Sequence, residues 1–369
     1  MKKITALTYV GNFGQAVRSF VIETDRKPAN TPVPSDFTLK NAWLRFPGGS
    51  AVSAGITNVL ETKTGYILET DGFLYAPDFS VKGPISFTKK DITEVHTEYA
   101  DDFEALEEYG VRYRLYTPKV PGKRPLILFL HGGGEMGADN WTHMVGTIGA
   151  AKLRERYPAC YVMAPQSPRP AVSADADKQS VLKVTPMQAM AMANERPFHY
   201  PDAFTGQNFG HELLASVEYL IRGMIAEGKV DPKRVYVTGM SMGGAGTLRA
   251  IAQAKDLFAA CVPICPFIDD EIYYNLAHCD IPIWLSMPYL DHVLERPMYL
   301  AHGMIECKQN GNKNAHLTIY SPAELEAYHI GSDPGTPLTA KISQNHSAWI
   351  LTYNNEYGIL DWMMNQIKE

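Results

Sequence analysis

The sequence predicts an α/β protein with a mostly parallel sheet flanked by helices, preceded by a small all-β sandwich. Two observations support this prediction: β-rich runs without helical periodicity before residue 92, and apolar runs that alternate with amphipathic segments after it. The length of 369 residues favours two domains. We therefore expect a β-domain over residues 1–92 and an α/β domain over residues 93–369.

The first 92 residues contain short runs typical of β-strands, at residues 16–23, 56–60 and 65–69. Pro, Gly, Asn and Asp lie between these runs and favour turns. No segment of this region has the 3.6-residue apolar period of a helix. The pattern therefore favours a small antiparallel sandwich.

The rest of the chain alternates predicted strands with predicted helices, which implies a sheet covered on both faces. Residues 212–227 repeat apolar side chains at the 3.6-residue spacing of a helix packed on a sheet. The long connection over residues 168–210 is rich in Met and aromatic side chains, and it predicts a lid or pocket wall at the carboxyl edge of the sheet. The predicted strands are residues 113–117, 126–130, 160–164, 235–238, 259–263, 283–287 and 317–320.

Composition excludes several classes of partner. The net charge of −6 and the absence of a basic tract argue against nucleic acid, and no apolar run reaches the roughly 20 residues that span a bilayer. The five cysteines form no CxxC pair of the kind that binds metal, and their odd number and apolar or helical surroundings favour reduced, structural thiols. No signal peptide is visible, so we expect a cytoplasmic protein, with a secreted or periplasmic location as the alternative if a leader has been removed. The oligomeric state stays open.

A strand, a sharp turn and a helix are predicted around Ser241. Residues 235–244 read Val-Tyr-Val-Thr-Gly-Met-Ser-Met-Gly-Gly, with a small-residue helical segment after them. Gly239 and Gly243 let the strand and the helix cross closely, and the turn between them exposes the serine hydroxyl. This pattern predicts the nucleophilic serine of an α/β-hydrolase fold. The alternative is a glycine-rich turn with an idle serine.

A second glycine-rich turn follows the buried run 126–130, because residues 131–135 read His-Gly-Gly-Gly-Glu. Backbone N–H groups of such a turn can approach a substrate oxyanion without obstruction by side chains. We expect the N–H groups of Gly133 (or its neighbour Gly134) and Met242 to form the oxyanion hole. His131 is expected to order the turn rather than to act in catalysis.

The partners of a catalytic serine on this fold follow it in the order acid, then histidine. His346 precedes the last helical segment and is the predicted base among six histidines after Ser241. Asp291 follows the predicted strand 283–287 and is the predicted acid. Asp269 and Asp270 follow the preceding strand and remain competitors.

Several of these segments together resemble one family. Residues 113–118, 130–140, 164–166, 231–244 and 258–265 resemble the signatures of the polyhydroxybutyrate depolymerase-like esterases. These esterases are also described as predicted peptidases and border the dienelactone hydrolases and the prolyl oligopeptidases. The similarity runs from about residue 93 to the end. Some members carry an immunoglobulin-like domain before the hydrolase domain, which is similar to residues 1–92. The sequence departs from the family in its long connection and in lacking a His-Gly pair before Asp291.

The resemblance implies a serine carboxylesterase that hydrolyses small acyl, acetyl or aryl (feruloyl-like) esters without a metal or organic cofactor. Its triad would be Ser241, Asp291 and His346. The predicted partner is a small-molecule ester, with plant-polysaccharide-derived esters among the candidates, and Phe198, Tyr200 and Trp349 are the predicted substrate contacts. A serine peptidase of the prolyl oligopeptidase type would use the same residues. The alternative from another class is a non-catalytic binding or surface protein.

Overall fold

Two β-sheets form the N-terminal region. The structure is a computed structural model that describes residues 3–45, 53–169, 209–293, 295–331 and 338–369. The N-terminal strands are β1 Lys3–Gly11, β2 Gly14–Glu23, β3 Thr38–Lys40, β4 Ile56–Glu61, β5 Gly65–Leu74, β6 Ser80–Lys82, β7 Phe87–Thr88 and β8 Glu94–Thr97. One sheet has the order β4-β5-β2-β1-β8, and the other has the order β3-β6-β7.

One apolar core joins these two sheets. Phe20 of β2 lies with its ring centroid 5.0 Å from that of Phe87 in β7, so side chains of both sheets meet. The all-β region that the sequence predicts is therefore present. Its larger sheet includes β8, which pairs in parallel with β1. This sheet thus extends to Thr97, past the boundary predicted at residue 92. The reason is that residues 94–97 of β8 pair with residues 5–8 of β1, and the local sequence does not indicate so distant a pairing.

An eight-stranded sheet forms the centre of the C-terminal region. Its order is β16-β15-β14-β13-β11-β12-β10-β9, in which β10 is antiparallel to its two neighbours and the other pairings are parallel. These strands are β9 Glu104–Glu108, β10 Val111–Tyr116, β11 Arg124–Leu130, β12 Tyr161–Gln166, β13 Val230–Met240, β14 Ala260–Ile264, β15 Ile283–Pro288 and β16 Ala315–Tyr320. The predicted fold class is confirmed.

Both faces of this sheet are covered, which explains the continuous apolar runs of its strands. In β11, Leu126 and Leu128 belong to the core on one face, and Ile127 and Phe129 belong to the core on the other. Successive side chains of a strand point to opposite faces, so a strand buried on both faces needs apolar residues at every position.

Helices of 4 to 16 residues connect the strands and cover the sheet. Among the described residues no helix is both long and apolar enough to cross a bilayer. The helices are α1 Thr142–Val145, α2 Ala150–Arg156, α3 His211–Ala226, α4 Met242–Gln253, α5 Asp270–Ala277, α6 Arg296–Gln309, α7 Pro322–Ala327, α8 Leu338–Asn345, α9 Trp349–Tyr353 and α10 Ile359–Met364.

The tip of the β1–β2 hairpin contacts the α/β region. Thr147 Oγ1 donates to the Asn12 carbonyl oxygen at 3.3 Å, and Asn354 Nδ2 donates to Asn12 Oδ1 at 2.9 Å. Gly14 has φ +114°, and a Cβ there would lie 2.8 Å from the Gly146 carbonyl oxygen. Only glycine meets both requirements at this position.

Candidate active site

Ser241 lies at a sharp turn between β13 and α4. Its φ of 55° and ψ of −115° are rarely adopted by residues other than glycine, and its N–H donates to the Ile264 carbonyl oxygen at 2.8 Å. Strained backbone of this kind is concentrated at functional sites, because the surrounding structure must hold it in place.

The glycines around Ser241 are required by the close approach of strand and helix. A Cβ on Gly239 would lie 2.3 Å from the Gly243 carbonyl oxygen, and a Cβ on Gly243 would lie 2.0 Å from the Leu130 carbonyl oxygen. Both obstacles are backbone atoms, which cannot move aside cheaply. The turn therefore depends on both glycines, as the Gly-x-Ser-x-Gly spacing predicts.

Ser241, His346 and Asp291 lie in one hydrogen-bonded series. His346 Nε2 is 2.8 Å from Ser241 Oγ, and His346 Nδ1 is 3.0 Å from Asp291 Oδ2. His346 begins a short 3₁₀ helix before α9, and Asp291 follows β15. The fold thus brings into contact residues up to 105 positions apart, with Ser241 and Asp291 beyond the ends of β13 and β15, which flank β14.

The Asp291 carboxylate is buried and contacts three residues, which are His292, Arg296 and His346. The backbone N–H of His292 donates to Oδ1 at 2.6 Å, and Arg296 Nη1 lies 3.3 Å from Oδ2. Burial by itself would raise the pKa of Asp291. Hydrogen bonds from His292 and His346, with the positive charge of Arg296, outweigh burial and lower this pKa well below its usual range. Asp291 is therefore ionised at neutral pH.

The pKa of His346 is lowered by burial and by the charges of Arg296 and His292. The hydrogen bond and the charge of Asp291 act in the other direction and raise this pKa, but they do not outweigh burial. A lowered pKa leaves the imidazole neutral at pH 7. With Nδ1–H donating to the carboxylate, Nε2 carries a lone pair directed at the Ser241 hydroxyl. This arrangement can accept a proton from the serine.

The competing acids lie elsewhere. Asp269 caps α5 by accepting the N–H of Ile272 at 2.8 Å, and it lies 3.4 Å from Arg249. Asp270 is exposed at the first position of α5. Of the three candidate carboxylates, the structure brings only Asp291 into contact with His346 among the described residues.

His131 orders the glycine-rich turn, as the sequence predicts. It is fully buried, its Nδ1 lies 2.7 Å from the Gly132 carbonyl oxygen, and its Nε2 accepts the N–H of Ser167 at 2.9 Å. Burial lowers the pKa of His131 to about 4, so the ring is neutral and can donate through one nitrogen while accepting through the other.

The predicted oxyanion donors lie on two turns that leave paired strand ends. Leu130, the last residue of β11, pairs with Gly239 near the end of β13. Gly133 begins a short 3₁₀ helix after β11, and Met242 is the first residue of α4. Neither N–H donates to another group within the described part of the chain. The first N–H groups of a helix have no partner inside it and can bind an anion.

Glu135 is a buried carboxyl group in the same turn. Its Oε2 accepts the N–H of Gly132 at 2.9 Å. Burial raises the pKa of Glu135 from 4.5 to about 8, although the hydrogen bond from Gly132 opposes this shift. At neutral pH the group is therefore protonated in the folded protein and ionised in the unfolded chain.

Replacing Glu135 with Gln is expected to stabilise the protein increasingly as pH rises. Between pH 4.5 and about 8 only the unfolded chain releases this proton, so the stability of the parent falls as pH rises, by up to about 1.4 kcal/mol for each unit. The amide oxygen of Gln can still accept the N–H of Gly132, and the side chain has no proton to release. Urea unfolding at pH 5 and pH 8 measures the effect, with exposed Glu326→Gln as the control. An advantage of the Gln variant that shrinks toward pH 8 would contradict the prediction.

The predicted substrate contacts are only partly described. Phe198 and Tyr200, with most of the predicted lid at 168–210, lie outside the described residues. The indole of Trp349 lies perpendicular to the His346 ring, with centroids 5.4 Å apart, and its Nε1 donates to Thr147 Oγ1 at 3.1 Å. Trp349 is thus adjacent to the proposed base, and contact with substrate stays a prediction.

Asp291, His292 and His346 also offer ligand atoms within 4.8 Å of one another, a spacing that a metal ion could use. The guanidinium of Arg296 lies 3.3 Å from both Asp291 Oδ2 and His346 Nδ1. A fixed positive charge at that distance opposes the entry of a second cation. The donor set therefore fits a hydrogen-bonded carboxylate better than a resident metal.

Arg296 and His292 are contacts of the site that the sequence analysis missed. One feature of the sequence could have indicated a role for Arg296, which is its place at the first position of α6. A positive charge is unfavourable at the N-terminus of a helix, so an arginine there indicates an acidic partner nearby. His292 had only its position next to Asp291. Its ring nitrogen Nδ1 lies 2.6 Å from Asp291 Oδ1.

Comparisons with known proteins agree with this fold. Residues 203–295 match the model of the prolyl oligopeptidase family. A crystal structure described as a thermostable esterase is similar over 100% of both chains, with a TM-score of 0.68 and 26% identity. A bis(hydroxyethyl) terephthalate hydrolase of Streptomyces coelicolor is 40% identical over 62 residues, which span 17% of this chain and 20% of that relative.

The fold is that of the α/β-hydrolases. The similarity to the thermostable esterase extends over the whole chain, N-terminal β-region included. The chain is therefore a hydrolase of the α/β-hydrolase superfamily, with an esterase among its structural relatives.

Proposed function

We propose that this protein is a serine carboxylesterase that hydrolyses small acyl, acetyl or aryl esters. The observation that carries the proposal is the series from Ser241 Oγ to His346 Nε2 at 2.8 Å and from His346 Nδ1 to Asp291 Oδ2 at 3.0 Å. A serine on a strained turn, a neutral imidazole and an ionised carboxylate are the parts that acyl transfer needs.

In the proposed mechanism, His346 takes the hydroxyl proton while Ser241 Oγ attacks the ester carbonyl carbon. The N–H groups of Gly133 and Met242 hold the oxyanion of the tetrahedral intermediate, and Asp291 stabilises the imidazolium. His346 then gives its proton to the leaving alcohol, which leaves an acyl group on Ser241. A water molecule, deprotonated by His346, attacks the acyl-enzyme and releases the acid.

The similarities favour esters but leave a second enzymatic candidate. The relative from Streptomyces coelicolor is named for an aromatic diester, and the structural relative is described as an esterase. The prolyl oligopeptidase family model over residues 203–295 favours a serine peptidase as the alternative, because the same triad cleaves amides. We also propose the polyhydroxybutyrate depolymerase-like group as the subfamily and an immunoglobulin-like character for the N-terminal sandwich.

Acetyl, butyryl, feruloyl and terephthalate esters, assayed beside a peptide substrate, test the proposal. We expect turnover of at least one ester and labelling of Ser241 by a fluorophosphonate probe. Cleavage of the peptide alone would favour the peptidase. A folded protein that neither labels nor hydrolyses any substrate would favour a non-catalytic binding protein on this scaffold.

We further propose that Phe198 and Tyr200 line the acyl or alcohol part of the pocket. Replacing either with Ala should change the preference between aryl and short aliphatic esters, because an aromatic ring buries more surface against a large substrate. The acetyl ester should be least affected. Values of kcat/KM for the ester series measure this preference. An equal loss on every ester would remove these residues from the pocket.

A further inference from the structure

The side chain of Arg296 contacts both partners of the proposed nucleophile. It is 5% exposed, and its Nη1 lies 3.3 Å from Asp291 Oδ2 and 3.3 Å from His346 Nδ1. The other carboxylate oxygen, Oδ1, is held by the backbone N–H and the ring of His292. A buried guanidinium is thus fixed beside the imidazole rather than exposed to solvent, where its charge would be screened.

The two contacts of Arg296 correspond to different positions of the histidine proton. When His346 Nδ1 carries the proton, it donates to Asp291 at 3.0 Å, and Arg296 donates to the same carboxylate. When Nδ1 lacks the proton, Arg296 can donate to it, but Nε2 then carries the proton and cannot accept that of Ser241. The carboxylate favours the first arrangement, because an anion is the stronger acceptor and lies closer.

We propose that Arg296 is a positioning residue that holds the Asp291 carboxylate toward His346 and extends hydrolysis to more acidic pH. This inference rests on the proposed function of Ser241, Asp291 and His346. In the described part of the chain Arg296 makes no hydrogen bond to Ser241, whose hydroxyl contacts His346 instead. It acts through the two residues that it contacts.

The sign of the pH effect follows from the charges around His346. In the described part of the chain these groups are Asp291, His292 and Arg296. The Cys265 thiol interacts with Asp291 and Arg296, and burial raises its pKa so that it stays neutral. Hydrolysis needs neutral His346 and is lost as pH falls through its pKa. A cation at 3.3 Å opposes a second positive charge on the imidazole, which lowers that pKa and keeps the enzyme active at lower pH.

The pH dependence of kcat/KM for acetyl ester hydrolysis tests this inference with the neutral variants Arg296→Met and Arg296→Gln and the charged variant Arg296→Lys. The acid limb of both neutral variants should move up by about one pH unit. At pH 5 their kcat/KM, as a fraction of its plateau value, should then be roughly tenfold lower than that of the parent. Arg296→Lys should restore the position of the limb. Arg249→Met is the matched control, because Arg249 is also buried but pairs with Asp269 and Glu271.

An acid limb that does not move in folded neutral variants overturns the inference. Should both neutral variants fail to fold, the parent provides the measurement through the rate of fluorophosphonate labelling against pH. An inflection at or above the ordinary histidine value of about 6.5 overturns the role of Arg296, and one below it supports the lowering of this pKa that burial and Arg296 together produce. A parent that neither labels nor hydrolyses esters overturns the proposed function as well. An active, labelled parent with an unshifted limb overturns this inference alone.

Discussion

Ser241→Ala is expected to remove nearly all ester hydrolysis while the protein stays folded. The loss should be on the order of a thousandfold to a millionfold in kcat/KM, which is the usual cost of removing a nucleophile. Alanine deletes only the hydroxyl that lies 2.8 Å from His346 Nε2, whereas the N–H of residue 241 can still donate to the Ile264 carbonyl oxygen. Assays with an acetyl ester, together with circular dichroism and thermal unfolding, measure the two halves of this prediction.

Ser321→Ala is the matched control for Ser241→Ala. Ser321 caps α7, and its hydroxyl accepts the N–H of Glu324 at 3.3 Å, so its loss should cost about 1 kcal/mol of stability and no activity. His346→Ala should lower the rate as Ser241→Ala does, and the double variant should be no slower than either, because the two residues act as a unit. Activity of Ser241→Ala within about tenfold of the parent would contradict the assignment.

The central sheet could be predicted from the sequence because its strands are buried on both faces. Residues 126–130 and 235–238 are continuous apolar or β-branched runs, and the structure places strands over both of them. The edge strand β9 was missed for the opposite reason. It reads Glu-Ala-Leu-Glu-Glu and is mostly exposed, so neither burial nor alternation marks it as a strand.

The nucleophile turn was predictable because its requirements are local. Gly239 and Gly243 are needed by backbone contacts within a few residues of Ser241 or with the neighbouring strand. The contact of Arg296 with His346 and the hairpin contact at Asn12 depend instead on which distant segments the fold brings together. Thr147 and Asn12 are 135 positions apart, and no local pattern predicts a hydrogen bond between them. Pairings of this kind come from the tertiary structure.

Asp291→Asn should lower kcat by on the order of a thousandfold to ten-thousandfold, with the geometry of the site preserved. The carboxylate keeps the proton of His346 on Nδ1, at 3.0 Å from Oδ2. An amide loses the negative charge, and Arg296, 3.3 Å from Nδ1, can then donate to that nitrogen. Both changes favour the tautomer with the proton on Nε2, which cannot accept the Ser241 proton.

The controls for Asp291→Asn are the two competing carboxylates. Asp270→Asn should do little, because Asp270 is exposed at the start of α5. Asp269→Asn should leave kcat near that of the parent, since an amide oxygen can still cap α5 through Ile272 N–H. Steady-state kinetics at pH 8 compare the three variants, and thermal unfolding checks that each is folded. If Asp269→Asn or Asp270→Asn lost the rate while Asp291→Asn kept it, the acid would follow β14, and the hydrogen bond between Asp291 and His346 would have no part in catalysis.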